Sequence, residues 1–183
     1  MKKLFIPVTA IIILFAGVSS CKKIVSTFFN GTDVTIPPVS VTVPTILAVS
    51  ATEQSFGSYS QQINLDSIVR ANTAGVFGAN AVSTIKIKQV TISLSNADAL
   101  NNLSNFESAR VTLNSNSNPA TADLFTVTFP DQNTTTFTFA PSTSTELLPY
   151  LKGNSITYTV YGKNRRITSK PLQMQVSVIL RAN

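Results

Sequence analysis

Histidine is absent from this chain of 183 residues, and cysteine occurs only once, at position 21. Without histidine the chain lacks the commonest general base and the commonest zinc ligand, which excludes Ser-His-Asp and Cys-His catalytic arrangements. A single cysteine also excludes an internal disulfide and a metal site built from several thiolates. We therefore expect no enzymatic activity and no cofactor.

Charged residues are scarce as well, at 12% of the chain, and the eight carboxylates stand singly along it. A calcium-binding loop would need several closely spaced acids, and the sequence contains no such group. A glycosidase-type hydrolase could use two carboxylates that folding brings within roughly 5 to 10 Å of each other. Because the sequence distinguishes no such pair, a hydrolase is the third of the functions that we consider.

The N-terminal segment has the layout of an export signal. A positive start at Lys2 and Lys3 precedes an almost unbroken apolar run from Leu4 to Val18. The run ends in Val18-Ser19-Ser20-Cys21, which resembles the lipobox of bacterial lipoproteins. The resemblance implies that residues 1–20 are removed as a signal peptide. It also implies that Cys21 is diacylated on its sulfur and acylated on the new N-terminus.

Two alternatives compete with a lipoprotein signal. An uncleaved transmembrane anchor needs about 20 apolar residues, whereas the run from Leu4 to Val18 is shorter. An ordinary secretory signal would leave Cys21 as a lone cysteine, although secreted domains usually contain cysteines in even numbers. We therefore predict a lipid anchor on Cys21, in which each buried methylene contributes about 0.8 kcal/mol.

The residues around the predicted cleavage position bear on location and partners. Loss of Lys2 and Lys3 lowers the formal charge from +6 to +4, and the remaining cations do not alternate with aromatic residues. We therefore expect no nucleic-acid partner. Lys22 rather than aspartate follows Cys21, and similarity to the sorting rule of enteric bacteria implies the outer membrane. The expected partners are membrane lipid, through acylated Cys21, and another envelope protein.

Apolar residues beyond the signal recur with period two, which is typical of half-buried strands. About eight such runs predict an all-β fold, an antiparallel β-sandwich of immunoglobulin-like or jelly-roll style. Runs at 156–160 and 172–180 predict a C-terminal hairpin. Runs at 127–129 and 137–139 predict a second hairpin with several phenylalanines on one face.

The expected organisation is a signal peptide over 1–20, a lipidated tether over 21–36 and a single sandwich domain over 37–183. The apolar pattern changes parity near Lys88-Gln89, which predicts a β-bulge. Prolines bracket the run from Val39 to Val43, and this favours an edge strand because proline cannot donate to a ladder.

One or two short helical turns interrupt the strands. Asn64 is placed to cap the first, which contains Asp66-Ser67-Ile68, a triplet that resembles a short O-glycosylation motif of exported proteins in some Gram-negative bacteria. Ser144 or Thr145 is placed to open the second, and Gly153 to close it.

The candidate contact residues are Tyr161, Lys163, Arg165 and Arg166. The basic run Lys163-Asn164-Arg165-Arg166, with Lys170 after it, could meet anionic lipid headgroups or an acidic partner. The alternative is a solvated turn whose charge discourages aggregation. Tyr161 points away from its apolar neighbours, either toward a ligand or onto another surface side chain.

The leading hypothesis is a non-enzymatic envelope lipoprotein whose sandwich is a binding or structural module. The alternative is a carbohydrate-binding accessory lipoprotein. Tryptophan is absent, so the stacking platforms of such a module would be Tyr59, Tyr150 and Tyr161. These three side chains would then have to gather on one exposed patch.

Overall fold

The computed structural model describes residues 29, 31–50, 52–142 and 145–183. The predicted signal peptide, Cys21 and most of the predicted tether lie outside the described residues. Within the described ranges no helix is both long enough and apolar enough to cross a membrane.

Within these ranges the chain forms nine strands, two α-helices and two short 3₁₀ turns. The strands are β1 (Thr32–Thr35), β2 (Val39–Val43), β3 (Gln54–Gln62), β4 (Ile85–Leu94), β5 (Phe106–Ser115), β6 (Ala122–Thr128), β7 (Thr136–Phe139), β8 (Ser155–Asn164) and β9 (Leu172–Ala182). The helices are α1 (Leu65–Asn72) and α2 (Leu148–Leu151), and the 3₁₀ turns are Ala79–Ala81 and Leu103–Asn105.

The strands form two antiparallel sheets. In the first sheet β9 pairs with β4 along one edge, and β4 pairs in turn with β7. Along its other edge β9 pairs with both β1 and β2, which lie one after the other. The second sheet has the order β3-β8-β5-β6. The fold is thus the all-β antiparallel sandwich that the period-two pattern predicts.

The sandwich core consists of the inward-facing side chains of both sheets. In β9 every second residue is buried, from Leu172 through Val176 to Leu180, while Gln173 and Gln175 are exposed. Burial of each such aliphatic side chain contributes about 1.5 to 3 kcal/mol. The core is therefore built mainly from strand alternation.

The predicted C-terminal hairpin is wrong. β8 pairs with β3 and β5 in the second sheet, whereas β9 belongs to the first sheet. Residues 165–171 therefore cross from one sheet to the other. Alternation shows which face of a strand is buried, but it does not show which strand hydrogen-bonds along its edge, so alternation alone could not identify the partner.

The second predicted hairpin is also wrong, because β6 pairs with β5 and β7 pairs with β4. The phenylalanines do meet, but across the two sheets: the ring centroids of Phe125 and Phe139 are 5.4 Å apart and those of Phe129 and Phe137 are 5.9 Å apart. The hairpin that forms joins β5 to β6 through the turn-forming residues 116–121.

The predicted bulge and edge strand are confirmed. The register of β4 on β9 shifts between Ile87 and Gln89, and β2 pairs with β9 alone. The predicted tether, however, extends too far, because Thr32–Thr35 pairs with β9 and both Val34 and Ile36 are buried. Pro37-Pro38 separates β1 from β2, since proline has no N–H to donate to the ladder.

Helix α1 begins as predicted, with the Asn64 side-chain oxygen accepting the Ser67 N–H at 2.9 Å. Helix α2 begins differently. Its N-cap is Leu147, and the Thr145 hydroxyl donates instead to the carbonyl of Asp123, while Ser144 lies outside the described residues. Its C-cap is Lys152 rather than Gly153.

The register defines two ends of the sandwich. Thr32 and Ile85 both lie opposite Ala182, at what we call the entry end, because β1, the first described strand, begins there. Val43 lies opposite Leu172 at the other end, which we call the far end. Helices α1 and α2 lie at the entry end, and the connections 44–50, 95–102, 129–135 and 165–171 lie at the far end.

Candidate interaction surface

The far end exposes large apolar side chains. Five such side chains are strongly exposed among the residues that the structure describes, and four of them lie on far-end connections: Leu47 (84%), Val49 (60%), Leu100 (78%) and Ile167 (57%). The fifth, Val76, follows α1 at the entry end. We call Leu47, Val49, Leu100, Ile167 and the adjacent Arg166 the far-end surface.

A buried asparagine fixes the positions of two of these residues. The Asn105 side-chain amide donates to the carbonyls of Leu100 at 3.0 Å and of Ile167 at 2.8 Å. The Asn105 carbonyl accepts the N–H groups of Arg165 and Arg166. One residue thus holds two connections together beneath the exposed Leu100 and Ile167 side chains.

A second buried asparagine reinforces this arrangement. The Asn101 side chain accepts the Ser169 N–H at 2.8 Å and donates to the Ser169 hydroxyl at 3.0 Å. Its amide also donates to Asp98, which pairs with Lys170 at 2.7 Å. The hydrogen bonds from Lys170 and then from Asn101 hold the pKa of Asp98 well below its ordinary value. This carboxylate therefore stays charged at neutral pH.

The connection that carries Leu47 and Val49 is attached to the same group. The Ile46 N–H donates to the Thr168 hydroxyl at 2.9 Å, and the Thr168 N–H donates to the Ile46 carbonyl at 2.9 Å. The Asn164 amide donates to the Ala48 carbonyl at 3.1 Å. Hydrogen bonds within the domain therefore hold the far-end connections together.

Two open depressions, of about 330 and 320 Å³, lie on this surface, and both are lined by Leu100, Asn105 and Arg166. Asp131 also lines the first, and Ile167 also lines the second. The surface therefore combines apolar side chains with shallow concavities and one arginine.

The structure brings two of the four predicted contact residues to the far end. The Arg165 guanidinium donates to the carbonyls of Phe106 and Phe129 at 2.7 and 2.8 Å, so it ties β5 to the connection that follows β6. Arg166 donates to the Ser104 carbonyl at 2.8 Å and pairs with Asp131 at 2.6 Å. Arg166 is exposed and borders both depressions. The Arg165 guanidinium instead donates its hydrogen bonds to backbone carbonyls within the domain.

The other two residues lie on the outer face of the second sheet. Lys163 pairs with Glu107 at 2.8 Å. The guanidinium carbon of Arg110 lies 4.2 Å from the centre of the Tyr161 ring, a cation–π contact. Tyr161 thus packs on a neighbouring surface side chain, the second of the two interpretations given above.

The three candidate tyrosines do not gather. Tyr59 lies opposite the buried Tyr158 and therefore faces the core, while Tyr161 points to the other side of the sheet. Tyr150 is buried in α2 at the entry end. The aromatic patch that the carbohydrate-binding alternative requires is not formed.

A cleft of about 610 Å³ opens at the entry end between α1 and α2. Its apolar wall includes Leu65 and Leu151. Its polar lining consists of Asn64, Asp66, Asn80, Asn116, Lys152, Gly153 and Asn154. Side-chain amides both donate and accept, so this lining can bind neutral hydroxyl-bearing groups.

The carboxylates are engaged with cations or backbone N–H groups. Glu53 and Asp123 both pair with Arg110, at 2.7 and 3.1 Å, on the outer face of the second sheet. Glu146 accepts the N–H groups of Ile85 and Leu148. No group of three or more metal-ligating side chains occurs in the described part of the chain.

The sequence patterns described above do not include Leu100, Ile167 or Asn105. A signal was present, since Leu100 and Ile167 are large apolar residues outside every period-two run and next to polar residues. Asn105 gave no signal, because its role depends on two carbonyls from separate connections. The chain matches no protein-family model and no curated protein sequence.

Proposed function

We propose that this chain is a lipid-anchored, non-enzymatic protein of the bacterial cell envelope, at the outer membrane, which binds another envelope protein through the far-end surface. The observation that carries the proposal is the position of the exposed apolar side chains, at the end opposite to where β1 begins. Cys21 precedes Thr32 by 11 residues, which span at most about 40 Å when fully extended. An anchor on Cys21 keeps the entry end near the membrane and leaves the far end accessible.

A protein partner suits this surface better than a small ligand. Protein interfaces commonly have an apolar centre, a polar rim and an arginine among their energetically important residues. The far-end surface has four exposed apolar side chains around Arg166. Its depressions are open rather than enclosed, so a small molecule would keep much of its own surface in water.

The anchor and the surface are tested in the same cells. Metabolic labelling with a fatty-acid analogue should mark the wild-type chain and leave Cys21→Ser unlabelled. A photocrosslinking residue at position 100 or 167 should give a discrete adduct with one envelope protein in native membranes. The same residue at position 76, which is equally exposed but at the entry end, is the matched control.

Two results would refute parts of this proposal. Label that persists on Cys21→Ser would exclude Cys21 as the lipid site. Adducts that are identical from positions 76, 100 and 167, or that survive Leu47→Ser together with Val49→Ser, would show that the far-end surface does not select a partner.

A carbohydrate-binding module is the second candidate, supported only by the amide-rich entry-end cleft. Calorimetric titration with neutral oligosaccharides should then show binding that Asn80→Ala weakens. Asn133→Ala is the control, because Asn133 is exposed at the far end. Binding that is absent, or that Asn133→Ala weakens as much, would remove this candidate.

A further inference from the structure

We propose that Lys86, Lys88 and Arg181 form a basic patch that lies against an anionic lipid surface. The proposal rests on the anchor at Cys21 and adds a second contact with the same membrane. It concerns the entry end of the first sheet, away from the far-end surface.

The register of the first sheet places these cations together. Asp33 of β1, Arg181 of β9 and Lys86 of β4 lie side by side in one cross-strand row, and all three face solvent because their neighbours along each strand face the core. The bulge between Ile87 and Gln89 adds Lys88 to the same face, where its ammonium pairs with Asp33. Arg181 pairs with Asp33 as well, at 3.1 Å.

Asp33 therefore pairs with two of the three cations of the patch. The hydrogen bonds from Lys88 and then from Arg181 lower the pKa of Asp33, so it is charged at neutral pH and the patch retains a net charge of about +2. No ion pair of Lys86 is found among the described residues. Glu146, the other nearby acid, accepts the N–H groups of Ile85 and Leu148.

The far-end cations are arranged differently. Arg166 and Lys170 each pair with a carboxylate of their own, Asp131 and Asp98 respectively, and Arg165 donates to the backbone carbonyls of Phe106 and Phe129. Three cations and two carboxylates give the far end a side-chain charge of about +1, which is smaller than the charge of about +2 on the entry-end patch. Lys22 and Lys23, which follow the lipid-bearing cysteine directly, have the same sign.

The anchor on Cys21 allows a weak electrostatic contact to hold the patch at the membrane for a large fraction of the time. Attraction to anionic headgroups decays over about 8 Å at physiological salt, so an unanchored protein would bind poorly through a patch of about two net charges. An anchored domain stays within about 40 Å of the membrane, the extended length of the 11 residues from Cys21 to Thr32, which gives the patch a high effective concentration at the lipid surface.

The absence of tryptophan from the chain permits a single-site reporter. The full chain carrying Val76→Trp is reconstituted into vesicles that contain a dansyl lipid. One set is pure phosphatidylcholine, and the other contains 30% phosphatidylglycerol (roughly the anionic fraction of a strongly charged membrane). Energy transfer should be about twofold higher on the anionic vesicles, and 0.5 M salt should abolish the difference, roughly as expected for a shortened Debye length.

Variants identify the patch. Lys86→Gln with Lys88→Gln should reduce transfer on anionic vesicles to the level on neutral ones. Lys163→Gln with Lys170→Gln, which removes two cations outside the patch, should leave transfer unchanged. Equal transfer on both vesicles, or anionic dependence that survives the Lys86 and Lys88 changes, would overturn the proposal.

Mass spectrometry of the reconstituted chain shows whether Cys21 carries an acyl group. This measurement separates failure of the anchor from failure of the basic patch. If no acyl group is found on Cys21, the proposed function loses its anchor. The same full chain is then coupled through the Cys21 thiol, its only thiol, to a maleimide lipid. The comparison of anionic with neutral vesicles then decides the patch by itself.

Discussion

Val176 and Gln175 are neighbours in β9 that face opposite sides of the first sheet. Val176 is buried in the core and Gln175 is exposed. Val176→Ala should lower the free energy of unfolding by about 1 to 3 kcal/mol, because it removes transfer energy and leaves a cavity. Gln175→Ala should change it by less than about 0.5 kcal/mol. Denaturant melts of both variants measure the difference, and equal losses would mean that the inner face has been misassigned.

Gly162 is required by close packing rather than by backbone conformation. A Cβ at this position would overlap the ring of Phe56, which itself packs edge-on against Phe106. Gly162→Ala should therefore destabilise the fold by about 1 to 3 kcal/mol. In a Phe56→Leu background the same change should cost less, so a double-mutant cycle measures the coupling. A coupling of zero would show that the Phe56 ring does not limit the space at Gly162.

At the scale of the element, the connections 95–102 and 165–171 should loosen in acid. Lys170 and Asn101 lower the pKa of Asp98 in the folded state below the value in the unfolded chain, which is about 4. The charged Asp98 side chain therefore stabilises the fold fully above about pH 4, and this stabilisation is lost as the pH falls through the folded-state pKa. Amide exchange should therefore show lower protection factors at Asn101 and Ser169 below about pH 4.

Asp98→Asn should produce that loss of protection already at neutral pH. Asp66→Asn is the control, because Asp66 pairs with Arg70 in α1 at the entry end. Protection at Asn101 that does not depend on pH or on Asp98 would show that the neutral hydrogen bonds alone hold these connections.

The elements themselves were largely predictable, and their partners were not. Alternation located β8 and β9, the parity change located the bulge, and Asn64 marked the start of α1, because each signal is local. Which sheet a strand joins is decided by burial against distant residues, and both predicted hairpins failed for that reason. The far-end surface depends on hydrogen bonds from Asn105 to two separate connections, and no local pattern specifies them.

At the scale of the whole molecule, the sandwich should require β1. A chain beginning at Pro37, the predicted start of the domain, lacks the buried Val34 and Ile36 and the pairing of β1 with β9. Relative to a chain that begins at Thr32, it should lose about 3 to 6 kcal/mol. Its melting temperature should fall by roughly 10 to 20 °C. Equal melting temperatures would show that residues 32–36 act as a tether after all.

The position of β1 also determines how the protein responds to force. β1 runs from the entry end toward the far end, antiparallel to β9, and the chain reaches it at Thr32. A pull between a membrane anchor before Thr32 and a partner held at the far end acts along the strand axis. The hydrogen bonds of β1 and β2 to β9 are then loaded together in shear instead of opening one by one. Mechanical lifetime under such a pull is governed by the unfolding rate, so this geometry favours a domain that stays folded while under tension.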